Sequence, residues 1–385
     1  MTVHKLPFGA GMPQLAAALL LLIFLAQCVW VIAYVPISSL ESSYIEDGLV
    51  QLGNMAEAGS PERSPLVPLM GAIPVKLFAG KITFEDLDRY RFLIRLPFVF
   101  CGLMLGASLW YVARRLYGNF GGFIALALYT FSPIIIARTN AVEEDIVAAW
   151  GAFGLIFTAI AVAHTLYAPR EVILWNWRRI LLLGVSIALC IGAQFPMWIV
   201  LVPALAFLLW VGHVRRGAAL VIFATACAIA AMILLGFYGF HALDLAHSLR
   251  EAQWFQFLPR QLGSSLNYRL GFEFFLQGGL GPLVLVVGAL VTFAVWPRTR
   301  FFGTAAPLIT AAVLVLAALG TEQLSALLFL FVALPFLILF VSGVAVDLLE
   351  SRYGIFANAV VVGALIASAM LDLYGLSQLR HLGVR

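Results

Sequence analysis

The sequence predicts an all-α polytopic membrane protein, a bundle of about eleven transmembrane helices with a helical first extracytoplasmic loop. Three observations carry this. Hydrophobic residues make up 63% of the 385 and charged residues 11%, with a mean hydropathy of +1.02. Soluble domains are about 45–50% apolar and about 25% charged. The apolar runs are about 18–25 residues long, the length a helix needs to cross a hydrocarbon core, with none of the short alternating segments of an outer-membrane barrel. The charges that remain are segregated into a few intervals between those runs.

Taken in order, the first apolar run extends from Leu15 to Val35 behind a single lysine. It is too long for a signal-peptide core and has no clear cleavage site, so it reads as a retained span. Spans then fall at roughly 14–37, 94–113, 120–137, 144–166, 180–193, 196–212, 217–238, 273–296, 303–320, 324–347 and 355–374. The two that flank Gln194-Phe195-Pro196 are short. Cys28, Cys101, Cys190 and Cys227 each sit inside an apolar run with no CxxC or Cys/His spacing, so no disulfide framework or structural zinc site is indicated. A net charge of +4 argues against a nucleic-acid partner.

Orientation follows from the short loops. Arg114 with Arg115, Arg178 with Arg179, Arg215 with Arg216, Arg298 with Arg300, and Arg352 all fall on the side of the N-terminus, which the positive-inside rule assigns to the cytoplasm. The acids provide an independent check: only Glu171, Asp347 and Glu350 fall inside, and sixteen of the nineteen lie outside. The interval 167–179, with Trp175 and Trp177 beside two arginines, reads as interfacial. The outer segments are 38–93, the turn at 138–145, and 239–272. No soluble domain of independent size, internal repeat or low-complexity tail is visible, so residues 1–385 read as one transmembrane domain.

The first outer loop holds Glu41, Glu46, Asp47, Glu57, Glu62, Glu85, Asp86 and Asp88, eight of the nineteen acids. Ser43-x-x-Glu46 has the form of a capping box, predicting a helix from about Tyr44. Ile45, Leu49, Leu52 and Ala56 would share its apolar face and Asp47, Gln51 and Asn54 the opposite one, as in a helix lying at a membrane surface. Gly59-Ser60-Pro61 ends it. A breaker-rich run from Ser64-Pro65 through Pro68 to Pro74 leads to Lys76, and Thr83-x-x-Asp86 starts the approach to the second span. Capping occupies Glu46. Asp47 has no such task and is the acid favoured for chemistry.

Between the third and fourth spans, Asn140 and Glu143 form a second capping-box pattern, and acids in a first turn suit the helix dipole. Three successive acids, Glu143-Glu144-Asp145, exceed what a cap requires. A site for a cation, or for a basic or hydroxylated substrate group, is as well supported as a structural role. In 239–272, an amphipathic surface helix is favoured over a metal site at His241, Asp244 and His247, whose angular spread on a helix is poor. Arg260 and Arg269 lie among aromatics and suit a lipid phosphate, which guanidinium pairs bidentately, or simple interfacial anchoring.

The order of these features resembles a known family. The acidic pair in Tyr44-Ile-Glu-Asp-Gly48 is followed by a Gly-Ser-Pro-rich loop, Arg95-Leu-Pro97, Ala113-Arg-Arg-Leu-Tyr-Gly118, Tyr129-Thr-Phe-Ser-Pro133 and an Arg138 to Asp145 segment. This is similar to the GT-C membrane glycosyltransferases, in particular those using dolichyl-phosphate-mannose or polyprenyl-phosphate sugars. The match is good over about 1–165 and looser in Ala326 to Pro335; order and topology carry it rather than any one motif. The resemblance implies a GT-C-like bundle in the inner (plasma) membrane, with the catalytic acid of the first outer loop at Asp47 or Glu46. It implies a second acid across the cavity at Glu144 or Asp145, and outer-loop cations such as Arg138, Arg63, Lys76, Arg260 and Arg269 that bind the lipid-linked phosphate. The implied activity is an inverting hexosyl or pentosyl transfer to a lipid, glycan or protein acceptor. The usual Asp-Glu-Gly order is reversed here to Glu46-Asp47-Gly48. The C-terminal soluble domain of many relatives has no counterpart in the sequence.

The residues fit that chemistry on their own account. A sugar on polyprenyl phosphate already has a good leaving group, so the reaction needs a carboxylate to take the acceptor proton and a cation to neutralise the departing phosphate. No nucleotide-binding loop is needed and none is present. No cofactor is required; a divalent metal is compatible with the acids. A transporter would place charge near the midplane or show repeated broken helices, and the sequence does neither. The remaining alternative is a catalytically silent GT-C-like scaffold for a larger membrane complex. The orientation is testable by cysteine accessibility at Ser60→Cys and Gly217→Cys, expected to label from opposite faces. Labelling of both from one face would overturn the eleven-span arrangement.

Overall fold

The computed structural model describes residues 11–53, 64–79, 84–167, 177–252, 254–277, 280–321, 323–351 and 354–382. Among them every regular element is helical. The first part comprises α1 (Met12–Tyr34), α2 (Ser39–Gly53), α3 (Leu66–Ala79), α4 (Arg91–Thr130, entered through a 3-10 helix at Phe84–Tyr90), α5 (Pro133–Thr139) and α6 (Asp145–Thr165). The second comprises α7 (Trp177–Ala193), a 3-10 turn at Phe195–Val200 running into α8 (Leu201–Val211), then α9 (Arg216–Phe237) and α10 (Ala242–Glu251). The last comprises α11 (Ser265–Gln277), α12 (Leu280–Val295), α13 (Phe302–Leu319), α14 (Gln323–Leu349) and α15 (Gly354–Leu382).

Among the described residues seven stretches are long and apolar enough to cross a membrane, or eight if α11 and α12 together make one. The eleven expected spans are distributed differently. Those at 180–193 and 196–212 correspond to α7 and α8, of 17 and 11 residues, each short for a crossing. The spans at 94–113 and 120–137 are joined within α4. That element is hinged at Gly118, whose φ of 78° and ψ of −173° lie where glycine is favoured. Its arms fold back on each other. Gly122 lies against Trp110 and Arg114, the Tyr129 ring covers Gly106, and the Tyr129 hydroxyl donates to the Gly102 carbonyl at 2.6 Å. Successive contacts of 122 with 114 and of 129 with 102 make the arms antiparallel, as two spans would be.

α6 and α14 are the most enclosed of these stretches, while α1, α9 and α15 leave most of their surface uncovered. Phe153 and Phe157 of α6 meet Phe336 of α14 with ring centroids 5.6 and 6.1 Å apart. Gly151 of α6 faces the backbone of Cys190 in α7 so closely that a Cβ there would stand 2.4 Å from the Cys190 nitrogen. Small residues at such crossings let membrane helices approach without side chains between them.

The segment between α1 and α4 differs from expectation in two ways. α2 begins at Ser39, five residues before the expected start. The run from Ser64 to Pro74, expected to be irregular, is largely the helix α3. Pro68 occupies its first turn, where the backbone N–H has no intrahelical acceptor anyway, and Pro74 removes one bond from the interior. Burial of Leu66, Val67, Leu69, Ala72 and Val75 outweighs that loss. On α2, Ile45 is buried and Leu49 half-buried, as the apolar face predicts, while Asn54 and Ala56 fall outside the described residues.

Gly48 sets the α2–α3 distance. A Cβ at this position would lie 2.2 Å from the Pro68 carbonyl oxygen and 2.7 Å from the Ala72 methyl. Gly48→Ala should therefore push the helices apart and destabilise the protein by about 1–3 kcal/mol, the usual cost of overpacking. Gly53→Ala, where the added carbon meets nothing within 4 Å, should be close to neutral. Equal unfolding midpoints for the two variants would refute the close contact.

Candidate active site

The end of the bundle where α1, α2 and α4 meet is built around a buried ion pair. Arg95 of α4 is 1% exposed and Glu41 of α2 is 3% exposed. The guanidinium grips the carboxylate with both edges, Nε to Oε1 at 2.9 Å and one terminal nitrogen to Oε2 at 2.8 Å. It also donates to the carbonyls of Val35 and Pro36 at 2.8 and 2.9 Å, just past the end of α1. The Glu41 oxygens accept two further bonds, from the backbone N–H of Ser38 at 2.8 Å and of Val142 at 3.2 Å. Burial alone would raise the Glu41 carboxyl; the Arg95 guanidinium and these two amides outweigh it and hold it below the ordinary carboxylate range.

The same glutamate caps its helix. The Glu41 N–H donates to the Ser38 hydroxyl at 3.2 Å while the Ser38 N–H is bound by Glu41, which is a capping box at Ser38-x-x-Glu41. The box expected at Ser43-x-x-Glu46 does not form, because those residues lie inside α2, where the backbone is already paired. Glu46 is exposed and Asp47 half-buried, so the structural task assigned to Glu46 belongs to Glu41.

Opposite α2 stands the segment between α5 and α6. The Tyr44 hydroxyl donates to Glu144 Oε2, and the Gln194 amide donates to Glu144 Oε1 at 3.2 Å. Arg138 at the end of α5 pairs with Glu143 at 2.7 Å and Asp145 at 2.9 Å. Burial disfavours its charge, but Asp145 and Glu143, then Glu144, more than compensate and hold it firmly protonated. The capping box expected at Asn140 and Glu143 is also absent. Asn140 ends α5 with its amide donating back to the Ile136 carbonyl at 2.7 Å, and α6 starts at Asp145 with no side-chain cap.

Thus Tyr44, Glu144 and Gln194 form one cluster and Arg138, Glu143 and Asp145 a second, adjacent through the consecutive acids 143–145, and Asp47 follows Tyr44 by about one turn of α2. The Lys76 ammonium of α3 donates to the Leu52 carbonyl near the end of α2. Arg260 is exposed, and Arg269 is exposed and paired with Glu273 at 2.7 Å on its own helix. Arg63 lies outside the described residues. α10 is largely exposed with His247 paired to Glu251 at 3.2 Å, the surface helix expected there. Among the described residues no group of three or more His, Cys, Asp or Glu side chains is placed to hold a metal ion. Sequence reasoning missed Glu41, Arg95, Tyr44 and Gln194. Two signals for the pair were present: Ser38-x-x-Glu41 has the same capping-box form, and an arginine at the start of an apolar run needs a partner.

Similar proteins have this arrangement of helices. The fold matches ArnT from Cupriavidus metallidurans bound to undecaprenyl phosphate, with 14% identity over 96% of this chain and 72% of that one and a TM-score of 0.60. The fold is that of the GT-C membrane glycosyltransferases. A second match is the Archaeoglobus fulgidus oligosaccharyltransferase complexed with zinc and sulfate, at 13% identity over 94% of this chain and 53% of that one, with a TM-score of 0.60. A third is the same archaeal enzyme with an inhibitory peptide and a dolichol-phosphate, at 11% identity over 96% and 56%, with a TM-score of 0.60. The chain spans just over half the length of these oligosaccharyltransferases. Residues 65–238 match the family model described as dolichyl-phosphate-mannose-protein mannosyltransferase. No curated protein sequence matches significantly. The GT-C resemblance read from the sequence therefore holds at the level of fold, across the later helices as well as the first 165 residues.

The ion pair makes a quantitative prediction. Arg95→Leu strands a buried carboxylate and should cost about 3–5 kcal/mol, much of it recovered in the Glu41→Leu/Arg95→Leu double variant. Because the folded-state value of Glu41 is depressed, the pair's contribution is complete above the ordinary carboxylate value of about 4.3 and drains away as pH falls through the lower folded value. Acid unfolding of the wild type in detergent should thus steepen below about pH 4 relative to Glu41→Gln. Wild-type stability in Arg95→Leu would contradict the assignment.

Proposed function

We propose that the chain is a membrane glycosyltransferase that moves a sugar from a polyprenyl-phosphate carrier to an acceptor at the extracytoplasmic face, with Asp47 as general base. The observation that carries the reading is the edge of α2 in a GT-C fold, where Tyr44 is tied to Glu144 and Asp47 follows one turn on. Tyr44, Glu144 and Gln194 would orient acceptor hydroxyls, and Asp145 is assigned the place across from Asp47. The match of 65–238 to a dolichyl-phosphate-mannose-dependent family supports a lipid-phosphate donor.

In this reaction an acceptor oxygen attacks the anomeric carbon as the bond from that carbon to the phosphate oxygen breaks. The polyprenyl phosphate leaves with the electron pair, Asp47 takes the acceptor proton, and the configuration inverts. Arg138 is occupied by two carboxylates, which weakens it as a phosphate clamp. Lys76 is the better placed cation: its ammonium reaches the Leu52 carbonyl, about 7.5 Å along the helix axis from Asp47. Arg63, Arg260 and Arg269 are assigned to the approach of the lipid.

One observation favours a silent scaffold as a second reading. Glu41, Glu143, Glu144 and Asp145 all serve as partners within the protein, so most of the acid cluster has structural employment. Asp47→Asn separates the two. Transfer of labelled sugar from a polyprenyl-phosphate sugar should fall by about 10²–10⁴-fold while the protein still folds and inserts. Glu46→Gln, exposed and uninvolved in capping, should change neither stability nor rate. Loss in Glu46→Gln with a normal Asp47→Asn would move the base one residue earlier. Normal rates in both would leave the scaffold.

A further inference from the structure

A cavity of about 430 Å³ backs onto the Glu41–Arg95 pair without including Tyr44, Glu144 or Asp145. Its walls are the last turns of α1, the helix α5 and the outer part of α15, and most of its lining is apolar. Five side chains depart from that character: Ser38, Glu41 and Arg95, which hydrogen-bond one another, and two that carry an unsatisfied atom. Asp372, inside the last membrane helix, is 3% exposed, and its Oδ2 has no hydrogen-bond partner. Asn140 is 3% exposed and its Oδ1 has none either. Both line the cavity. The Glu41 oxygens, by contrast, each accept two bonds already.

A carboxylate within a membrane helix is costly unless it is paired, and buried polar atoms in folded proteins nearly always have partners. Two buried acceptors facing one space of ligand size define what the space lacks: a donor, and for Asp372 a positive one. A primary ammonium supplies both, with three donors and one charge. The walls contributed by Val31, Ile136, Leu376 and Leu379 suit an aliphatic body behind it. The cavity meets the surface at Ala137 and Gly375, both exposed, so it can be entered without unfolding.

We propose that this cavity binds a primary ammonium on an aliphatic body, with Asp372 as counter-ion and Asn140 Oδ1 as second acceptor. The site does not depend on the transferase reading. The ammonium could be a phospholipid headgroup or a free alkylamine, and the experiment distinguishes them. The full chain is placed in phosphatidylcholine nanodiscs, and retention of phosphatidylethanolamine, phosphatidylglycerol and hexylamine is followed by native mass spectrometry and thermal unfolding. Phosphatidylethanolamine, hexylamine or both should be retained at least tenfold better than phosphatidylglycerol and raise the unfolding midpoint; which of them binds identifies the source. Asp372→Asn should lose that preference. Gly375→Leu provides an independent variant, since a Cβ there meets nothing within 4 Å and the longer side chain stands at the mouth; it too should lose binding while folding normally. Retention of neither amine, equal retention of phosphatidylglycerol, or unchanged binding in either folded variant would overturn the proposal.

Discussion

The end of α1, the start of α2, the start of α4 and the segment before α6 are tied to one buried contact, the two-edged grip of Arg95 on Glu41. Through it α4 holds the start of α2, the peptide carbonyls just past α1, and, by the Val142 amide, the segment that presents Glu143, Glu144 and Asp145. A bare ion pair at this depth would be a poor source of stability, because desolvation consumes the Coulombic gain. Here both Glu41 oxygens are doubly satisfied and the guanidinium reaches two further carbonyls, which is the condition under which such a pair holds its place. Its effect is positional: the α1–α2 junction, the start of α4 and the segment at Val142, distant in sequence, are fixed relative to one another by a planar fork with little freedom.

With that point fixed, the acids sort by task. Glu41 is structural. Glu143 and Asp145 are balanced by Arg138, and Glu144 is shared between Tyr44 and Gln194. The local excess of negative charge is thus carried by groups whose orientations are set by hydrogen bonds, the kind of preorganised surface that can orient hydroxyl donors without rearranging. Identities of 11–14% with solved GT-C structures at TM-scores near 0.60 fit this view. The order and angles of the helices persist through side-chain change, whereas site residues have to be argued one at a time.

Much of the architecture was legible because the membrane imposes a simple rule on composition: long apolar runs with charge at their ends. That rule located α1, α6, α9, α13, α14 and α15 closely, and it separated the arms of α4 around Gly118. It gave no guidance on the polar segment after α1, where local signals compete. Ser38-x-x-Glu41 and Ser43-x-x-Glu46 are equivalent as strings; the first forms because Arg95, 54 residues away, holds Glu41 in place. Asn140-x-x-Glu143 failed for a similar reason, with Glu143 drawn to Arg138. The prolines of α3 read as breakers, yet one sits where helices tolerate proline and buried neighbours offset the other. In the first case a contact distant in sequence decided between locally equal alternatives, in the second a neighbour five residues away, and in the third the place of the prolines in the helix and its burial. Asp372 was passed over because a single acid barely alters the hydropathy of a long run.

The back-folded α4 bears on how the protein is made. Its arms touch at separations of 8 residues, Arg114 to Gly122, and 27 residues, Gly102 to Tyr129, so they can close on each other as soon as both have emerged from the ribosome. Such short-range closure loses little chain entropy and proceeds quickly. The hairpin can therefore enter the bilayer already paired, with Arg95 at its leading arm. The later helices then assemble on a template whose geometry no longer depends on them.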